Sequence, residues 1–206
     1  MNGKKPIINV KPLGKEDNVK PGIGANSGIV TILDEQRVPQ VYNILKELQH
    51  IFDLPQENLT LIPHLTWHIS ESLDVPSVLN VLAEWAKRKR RFTARAVGLG
   101  MFCGTLPIVY IPVIKDPSLR HFHQQLWKLI APLTSQVSTY YSPREWIPHI
   151  TLAYGDIHPE ALGCAFQQLA YRPIGLEIPI EKIAFGSKSN DDSWKIIQEF
   201  RLIGSR

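Results

Sequence analysis

Hydrophobic positions recur along the chain in two rhythms, and their alternation lays out the elements. Gly28-Ile-Val-Thr-Ile-Leu33 is a β-branched run and predicts a strand. Asp34 follows as a helix-start residue. Val41, Ile44, Leu45, Leu48 and Phe52 then repeat at the three-and-four spacing of one helix face. His64-Leu-Thr-Trp-His68-Ile-Ser70 alternates like a strand. Asp74 and Pro76 open a second helix, in which Val78, Leu82, Trp85 and Ala86 form one stripe; the basic cluster Lys87 to Arg91 ends it. A strand from Phe92 to Met101 closes this half.

The same order then recurs. Ile108 to Val113 reads as a strand. Asp116-Pro117 starts a helix with Leu119, Phe122, Leu126, Leu129, Ile130 and Leu133 on its apolar face. Irregular sequence leads into Pro148-His-Ile-Thr-Leu152. Asp156 and Pro159 open a helix carrying Ala161, Leu162, Ala165, Phe166 and Leu169 on one side. Strands from Ile174 to Phe185 and from Trp194 to Leu202 end the chain. In the last, simple alternation puts Trp194, Ile196, Phe200 and Leu202 on one face and Lys195, Glu199 and Arg201 on the other. The second helices of the two halves start near Ser77 and Glu160, 83 residues apart. An interval this long predicts two similar lobes, not a solenoid, whose repeats are shorter.

Composition narrows the class. A chain of 206 residues with 44% hydrophobic and 20% charged residues suits one large domain or two small lobes sharing a core. Its 23 basic and 19 acidic residues leave a net charge of +4, which favours an anionic ligand without requiring one. Two cysteines, Cys103 and Cys164, exclude a disulfide scaffold and a four-cysteine zinc site. No apolar run is long enough for a membrane helix, and Met1-Asn-Gly-Lys-Lys5-Pro leads into no apolar secretory segment. The expected compartment is the cytoplasm. Residues 1–27 are rich in Gly, Pro, Lys and Asn and are read as a flexible arm, with RNA contact by this basic tail as the alternative. Residues 28–206 are read as a single bilobal domain with halves at roughly 28–105 and 106–206.

The chemistry concentrates in two short motifs, Pro63-His64-Leu65-Thr66 and Pro148-His149-Ile150-Thr151, 85 residues apart. With this composition chance expects about 0.02 such motifs, so two at equivalent places in a duplicated chain are informative. On a strand, residues two apart share a face. His64 projects with Thr66, and His149 with Thr151. If the lobes pair by a pseudo-twofold, two imidazoles and two hydroxyls converge on one cleft. In-line displacement at phosphorus needs a base on the attacking oxygen and an acid on the leaving oxygen. Two histidines, one neutral and one protonated, supply both. The hydroxyls donate to the non-bridging oxygens, where charge builds. This chemistry needs neither metal nor other cofactor.

The paired motifs, the repeated element order and the length resemble the 2H phosphoesterase superfamily, which includes bacterial 2′-5′ RNA ligase/cyclic phosphodiesterase proteins. The resemblance spans roughly Gly28 to Ile203 and is specific only in the two motifs. It implies an α+β fold of two pseudo-symmetric lobes, with antiparallel sheets lining a central groove and helices outside. It also implies metal-independent hydrolysis of 2′,3′-cyclic phosphate ends of RNA or nucleotides, with reverse 2′-5′ ligation as a companion activity. The family's catalytic histidines fall on His64 and His149, and its phosphate-binding hydroxyls on Thr66 and Thr151. A 3′–5′ oligonucleotide exonuclease, a non-catalytic RNA-binding module and a zinc protein built on His64, His68 and His121 or His123 are the alternatives.

Other residues carry two readings each. On a continuous strand His68 shares the face of His64, where it would touch substrate or tune His64; a solvated or core histidine is the bland reading. Tyr141 and Arg144, in Tyr140-Tyr141-Ser-Pro-Arg144-Glu-Trp146, lead into the second motif. They are candidates for stacking on a base and pairing with phosphate, or for ordinary loop packing. His121 and His123 are expected on the partly exposed side of their helix. Trp67 should point away from His64 into packing. The Lys87 to Arg91 cluster reads as a solvated helix end or as an RNA-backbone contact.

Overall fold

The computed structural model describes residues 27–53, 60, 62–134, 138–188 and 194–204. Of the N-terminal arm only Ser27 lies among them. The elements run β1 (Ser27–Ile32), α1 (Val38–Phe52), β2 (His64–Ser70), α2 (Val75–Ala86), β3 (Phe92–Val97), β4 (Gly100–Phe102), β5 (Ile108–Pro112), α3 (Pro117–Ile130), β6 (His149–Tyr154), α4 (Pro159–Leu169), β7 (Gly175–Ile180), β8 (Lys182–Lys188) and β9 (Trp194–Arg201). This is the expected α+β class. Asp74 and Asp116 cap α2 and α3 through Ser77 N and Leu119 N, and each is followed by proline in the first turn.

Seven strands form one sheet in the order β4-β5-β6-β2-β1-β8-β9, and β3 pairs with β7 in a separate ribbon. Two strands read as continuous in the sequence are each broken in two. Phe92–Met101 turns at Gly98, whose φ of 75° suits glycine, so that β3 stays in the ribbon and β4 enters the sheet. Ile174–Phe185 breaks at Glu181 in the same way, with β7 in the ribbon and β8 in the sheet. Both breaks let one long apolar run serve two sheets.

The halves of the chain therefore exchange strands. β4, from the first half, pairs with β5 of the second; β8, from the second half, pairs with β1 of the first. A boundary near residue 105 divides the sequence repeat but not the sheet. At the centre, β2 and β6 meet antiparallel at a single rung, Leu65 opposite Ile150.

The helices pack on one face of the sheet. Val41, Ile44, Leu45, Leu48 and Phe52 of α1, and Leu119, Phe122, Leu126 and Ile130 of α3, are buried there. Leu65, Trp67, Ile150 and Ile29 meet them from the strands and are fully buried. Each such side chain contributes about 1.5–3 kcal/mol of burial. The helices leave the opposite, open face to the alternate strand positions.

Three β-bulges decide which side chains reach that open face. In β2 the register to β1 skips Trp67, since Thr66 pairs with Val30 and His68 with Ile29. In β6 the register to β5 skips Leu152, since Thr151 pairs with Tyr110 and Ala153 with Val109. The two bulges fall at equivalent places, one residue beyond each motif threonine. In β9 the register to β8 skips Ile197, between Ile196 opposite Gly186 and Gln198 opposite Phe185. Each extra residue shifts the alternation by one, so side chains beyond it change face. Trp194 and Ile196 thus lie on the open side, while Phe200 is buried on the helix side. The single face expected for Trp194, Ile196, Phe200 and Leu202 does not form.

Candidate active site

The central rung places the motif residues. Leu65 and Ile150 both point into the core, so their neighbours point the other way. Antiparallel register then sets His64 opposite Thr151 and Thr66 opposite His149. Opposed Cβ atoms on such strands lie about 5 Å apart. Two imidazoles and two hydroxyls occupy the corners of one small quadrilateral on the open face. Thr66 is buried, and His64, His149 and Thr151 are half-buried.

The imidazoles are held identically. His64 Nδ1 lies 2.7 Å from the carbonyl oxygen of Ile62, and His149 Nδ1 lies 2.7 Å from that of Ile147. A carbonyl only accepts, so each Nδ1 carries a proton. Nε2 is then a base in the neutral ring and an acid in the charged one. Burial lowers both pKa values below the ordinary imidazole range, and the carbonyl bonds oppose that shift. His149 is lowered further by the charge of His64.

Beside His149 stand two aromatic residues that the sequence pattern did not single out. Phe102 and Tyr110 stack at 4.2 Å between ring centroids, and they lie 4.9 and 5.2 Å from the His149 ring. Tyr110 lies across Gly100: a Cβ there would come within 2.6 Å of the phenol ring. The usable signal was the β4–β5 hairpin, which pairs Gly100 with Tyr110 and delivers both aromatic side chains to the motif face. The short β4, hidden inside a longer apolar run, concealed it.

Behind the site, Trp146 ties the two motif strands together. The indole N–H of Trp146 donates to the Thr66 carbonyl at 3.1 Å. The ring is stacked between His123, at 3.8 Å, and Trp67, at 5.5 Å. Lys115 Nζ donates to the carbonyl oxygens of Trp146 and Pro143 at 2.8 and 3.1 Å. Trp67 points into the core as expected and donates through Nε1 to Thr31 Oγ1.

Two of the other histidines, His68 and His123, do not lie where the sequence alternation put them. His68 does not share the face of His64, because the bulge at Trp67 turns it inward; it is 1% exposed and packs edge-on against Trp127 of α3. Tyr141 is buried, and burial pushes its pKa up. Arg144 has 93% of its side chain exposed and pairs with the neighbouring Glu145. His121 is exposed and contacts Gln125, but His123 is buried against Trp146 and not on a partly exposed side. Among the described residues no three His, Cys, Asp or Glu side chains gather as a metal-ligand group. Within the basic cluster, Lys87 pairs with Glu84, Lys89 with Gln125, and Arg91 with Glu181.

The seam brings two histidines and two threonines together on an α+β fold. The chain belongs to the 2′-5′ RNA ligase superfamily, whose family model matches residues 38–192. The fold is similar to that of TT0787 of Thermus thermophilus, with a TM-score of 0.63 and 19% identity over 88% of this chain and 100% of that one. It is also similar to E. coli LigT complexed with 3′-AMP, with a TM-score of 0.59 and 13% identity over 86% of this chain and 98% of that one. No curated protein matches the chain. Among the described residues no helix is long and apolar enough to cross a membrane.

Proposed function

We propose that the protein hydrolyses 2′,3′-cyclic phosphate ends of RNA or nucleotides by paired-histidine acid–base catalysis, without a metal ion. The observation that carries this reading is the mirrored pair, His64 and His149, each with Nδ1 committed to a backbone carbonyl and Nε2 left for proton transfer. The neutral imidazole takes a proton from water as its oxygen attacks phosphorus. The protonated imidazole gives its proton to the ribose oxygen as the cyclic P–O bond breaks. The product is a phosphomonoester. Thr66 and Thr151 donate to the non-bridging oxygens. Phe102 and Tyr110 offer a stacking surface for the base next to His149. A 5′-hydroxyl in place of water gives the reverse ligation through the same groups. Family membership and the LigT complex with 3′-AMP are consistent with a nucleotide ligand.

The test is a panel of 2′,3′-cyclic nucleotides and cyclic-ended oligonucleotides incubated with excess chelator, with the position of the product phosphate identified. Turnover is expected to persist. Loss of turnover in chelator, restored by one added metal, rejects the mechanism.

The pH dependence follows from the lowered imidazole pKa values. Catalysis needs one ring neutral and one protonated, so kcat/KM should be bell-shaped. Both limbs should lie below the ordinary histidine value of 6.5. The bound phosphate anion favours the charged rings, so the kcat profile should move to higher pH than the kcat/KM profile. Steady-state rates across pH 4 to 9 check this, and a flat profile rejects paired proton transfer.

A further inference from the structure

Each lobe lays an aromatic ring on glycine on the open face, and only one of the two rings touches a motif residue. Tyr110 over Gly100 adjoins His149. Trp194 is its counterpart at the far side of the sheet. A Cβ on Gly28 would lie 3.1 Å from its Cη2, and one on Gly186 3.1 Å from its Cε3 and Cζ3. The six-membered ring therefore spans β1 and β8, backed by two positions where any larger residue would push it away. The indole remains 40% exposed, with Ile196 beside it equally exposed.

The placement relative to the motif is fixed by register. Gly28, Val30 and Ile32 share one face of β1 and pair with Ile69, Thr66 and His64. Trp194 thus lies on the same face as the two histidines. By ordinary strand spacings it is about 10 Å across the strands and about 10 Å along them from the centre of the quadrilateral. Between them lie Val30, Ala184, Gly28, Gly186 and Ile69, with Val30 and Ala184 buried; Glu199, opposite Ala184 on the same face, is paired with Lys182 Nζ at 2.7 Å. The Lys182 ammonium offsets the one carboxylate of β9 that flanks this path. The distance exceeds the reach of a base on the ribose that carries the reacting phosphate.

The geometry points to a second nucleobase subsite at Trp194, so that the preferred substrate is a single-stranded oligonucleotide running across the sheet from the Phe102–Tyr110 pair, over the histidines, to the Trp194 platform. This rests on the phosphoesterase reading and adds the substrate class to it. Stacking on an aromatic ring tolerates any base, so the subsite selects for length rather than sequence.

The experiment compares 2′,3′-cyclic AMP with a short single-stranded RNA ending in a 2′,3′-cyclic phosphate, using the full chain. Trp194→Ala should lower kcat/KM for the RNA about tenfold relative to that for the mononucleotide, within the range for loss of one base stack. Trp194→Phe should restore most of the ratio, and Trp194→Leu should not. The ratio cancels any loss of folded protein. An unchanged ratio in Trp194→Ala, or rescue by Leu as good as by Phe, overturns the subsite while leaving the phosphoesterase reading intact. If the wild type turns over neither substrate, that reading fails, and binding of the same RNA with a 3′-phosphate end, followed by fluorescence anisotropy, decides the subsite separately. Weaker binding to Trp194→Ala supports it, and equal binding rejects it. If Trp194 and Ile196 instead join a second copy of the chain, sedimentation will show a dimer that Trp194→Ala dissociates, which also rejects it.

Discussion

Replacing His64 or His149 by alanine should lower the rate on a cyclic phosphate by about 10² to 10⁴, because each change removes one of two proton-transfer partners. The strands should survive the change, since register is held by Leu65 and Ile150 in the core and not by the imidazoles. Removing both should cost much less than the product of the single losses, because the rings act on one proton inventory. An asparagine control separates chemistry from positioning. Asn offers a short N–H donor near the carbonyl of Ile62 or Ile147 but has no basic nitrogen. It should be as slow as alanine; recovery with Asn would assign the histidine a structural role. Thr66→Val and Thr151→Val keep the β-branched shape and delete one donor each, for a loss of up to about 10² to 10³. A double histidine variant turning over at the wild-type rate would sink the mechanism.

The motif face was legible in the sequence because it depends only on local alternation. His64 and Thr66, and His149 and Thr151, are two apart on regular backbone, and the intervening Leu65 and Ile150 are unmistakably core residues. The helix stripes and the capping roles of Asp74 and Asp116 were also legible locally, but Asp34 and Asp156 do not cap α1 and α4, whose N-cap residues are Arg37 and His158. What failed lies beyond a bulge or across a strand exchange. An extra residue at Trp67 or Ile197 leaves no mark in composition, yet it moves His68 into the core and Trp194 to the open face. Phe102 reaches His149 only because β4 leaves its own half of the chain and pairs with β5. Such pairings are set by packing between distant segments, which periodicity in one segment does not encode.

The bulges also connect chemistry to packing. At Trp67 the extra residue lets two consecutive large side chains, Trp67 and His68, point toward α3, where they meet Phe122 and Trp127. At Leu152 the equivalent bulge turns Leu152 and Ala153 inward. Each motif threonine is thus followed at once by a doubly anchored stretch of strand. The open face gets a rigid edge one residue from the Thr66 and Thr151 hydroxyls, and on the β2 side the Trp146 indole adds a bond to the Thr66 carbonyl.

The anchoring brings a liability that gives the second large expected effect: the protein should lose stability steeply as pH falls from 7 to 4. His68 and His123 are each 1% exposed, and neither ring nitrogen of either makes a well-formed hydrogen bond. Around His68 stand Trp127 and the apolar core; around His123 stand Trp146, the ammonium of Lys115 and the His68 ring. Burial holds the pKa of each at about 4; at His123 the charges of Lys115 and His68 lower it further, and loose contacts with the backbone of Trp67 and Tyr141 oppose the shift. In the unfolded chain both titrate near 6.5. The unfolded state therefore binds more protons between those values, and stability rises with pH across that window. Their neutral burial contributes in full above about pH 6.5 and is lost as pH falls toward 4. A shift of this size corresponds to up to about 3 kcal/mol for each ring, less than additive because the two repel each other when charged. Urea unfolding at intervals from pH 4 to 7 measures the slope. His68→Phe and His123→Phe remove the titrating group while keeping an aromatic ring, so each should flatten the slope. Each should also cost little at pH 7, because the imidazoles replaced make no strong bond there. A slope in the double variant as steep as in the wild type would assign acid sensitivity to the carboxylates instead and overturn the role of these two histidines.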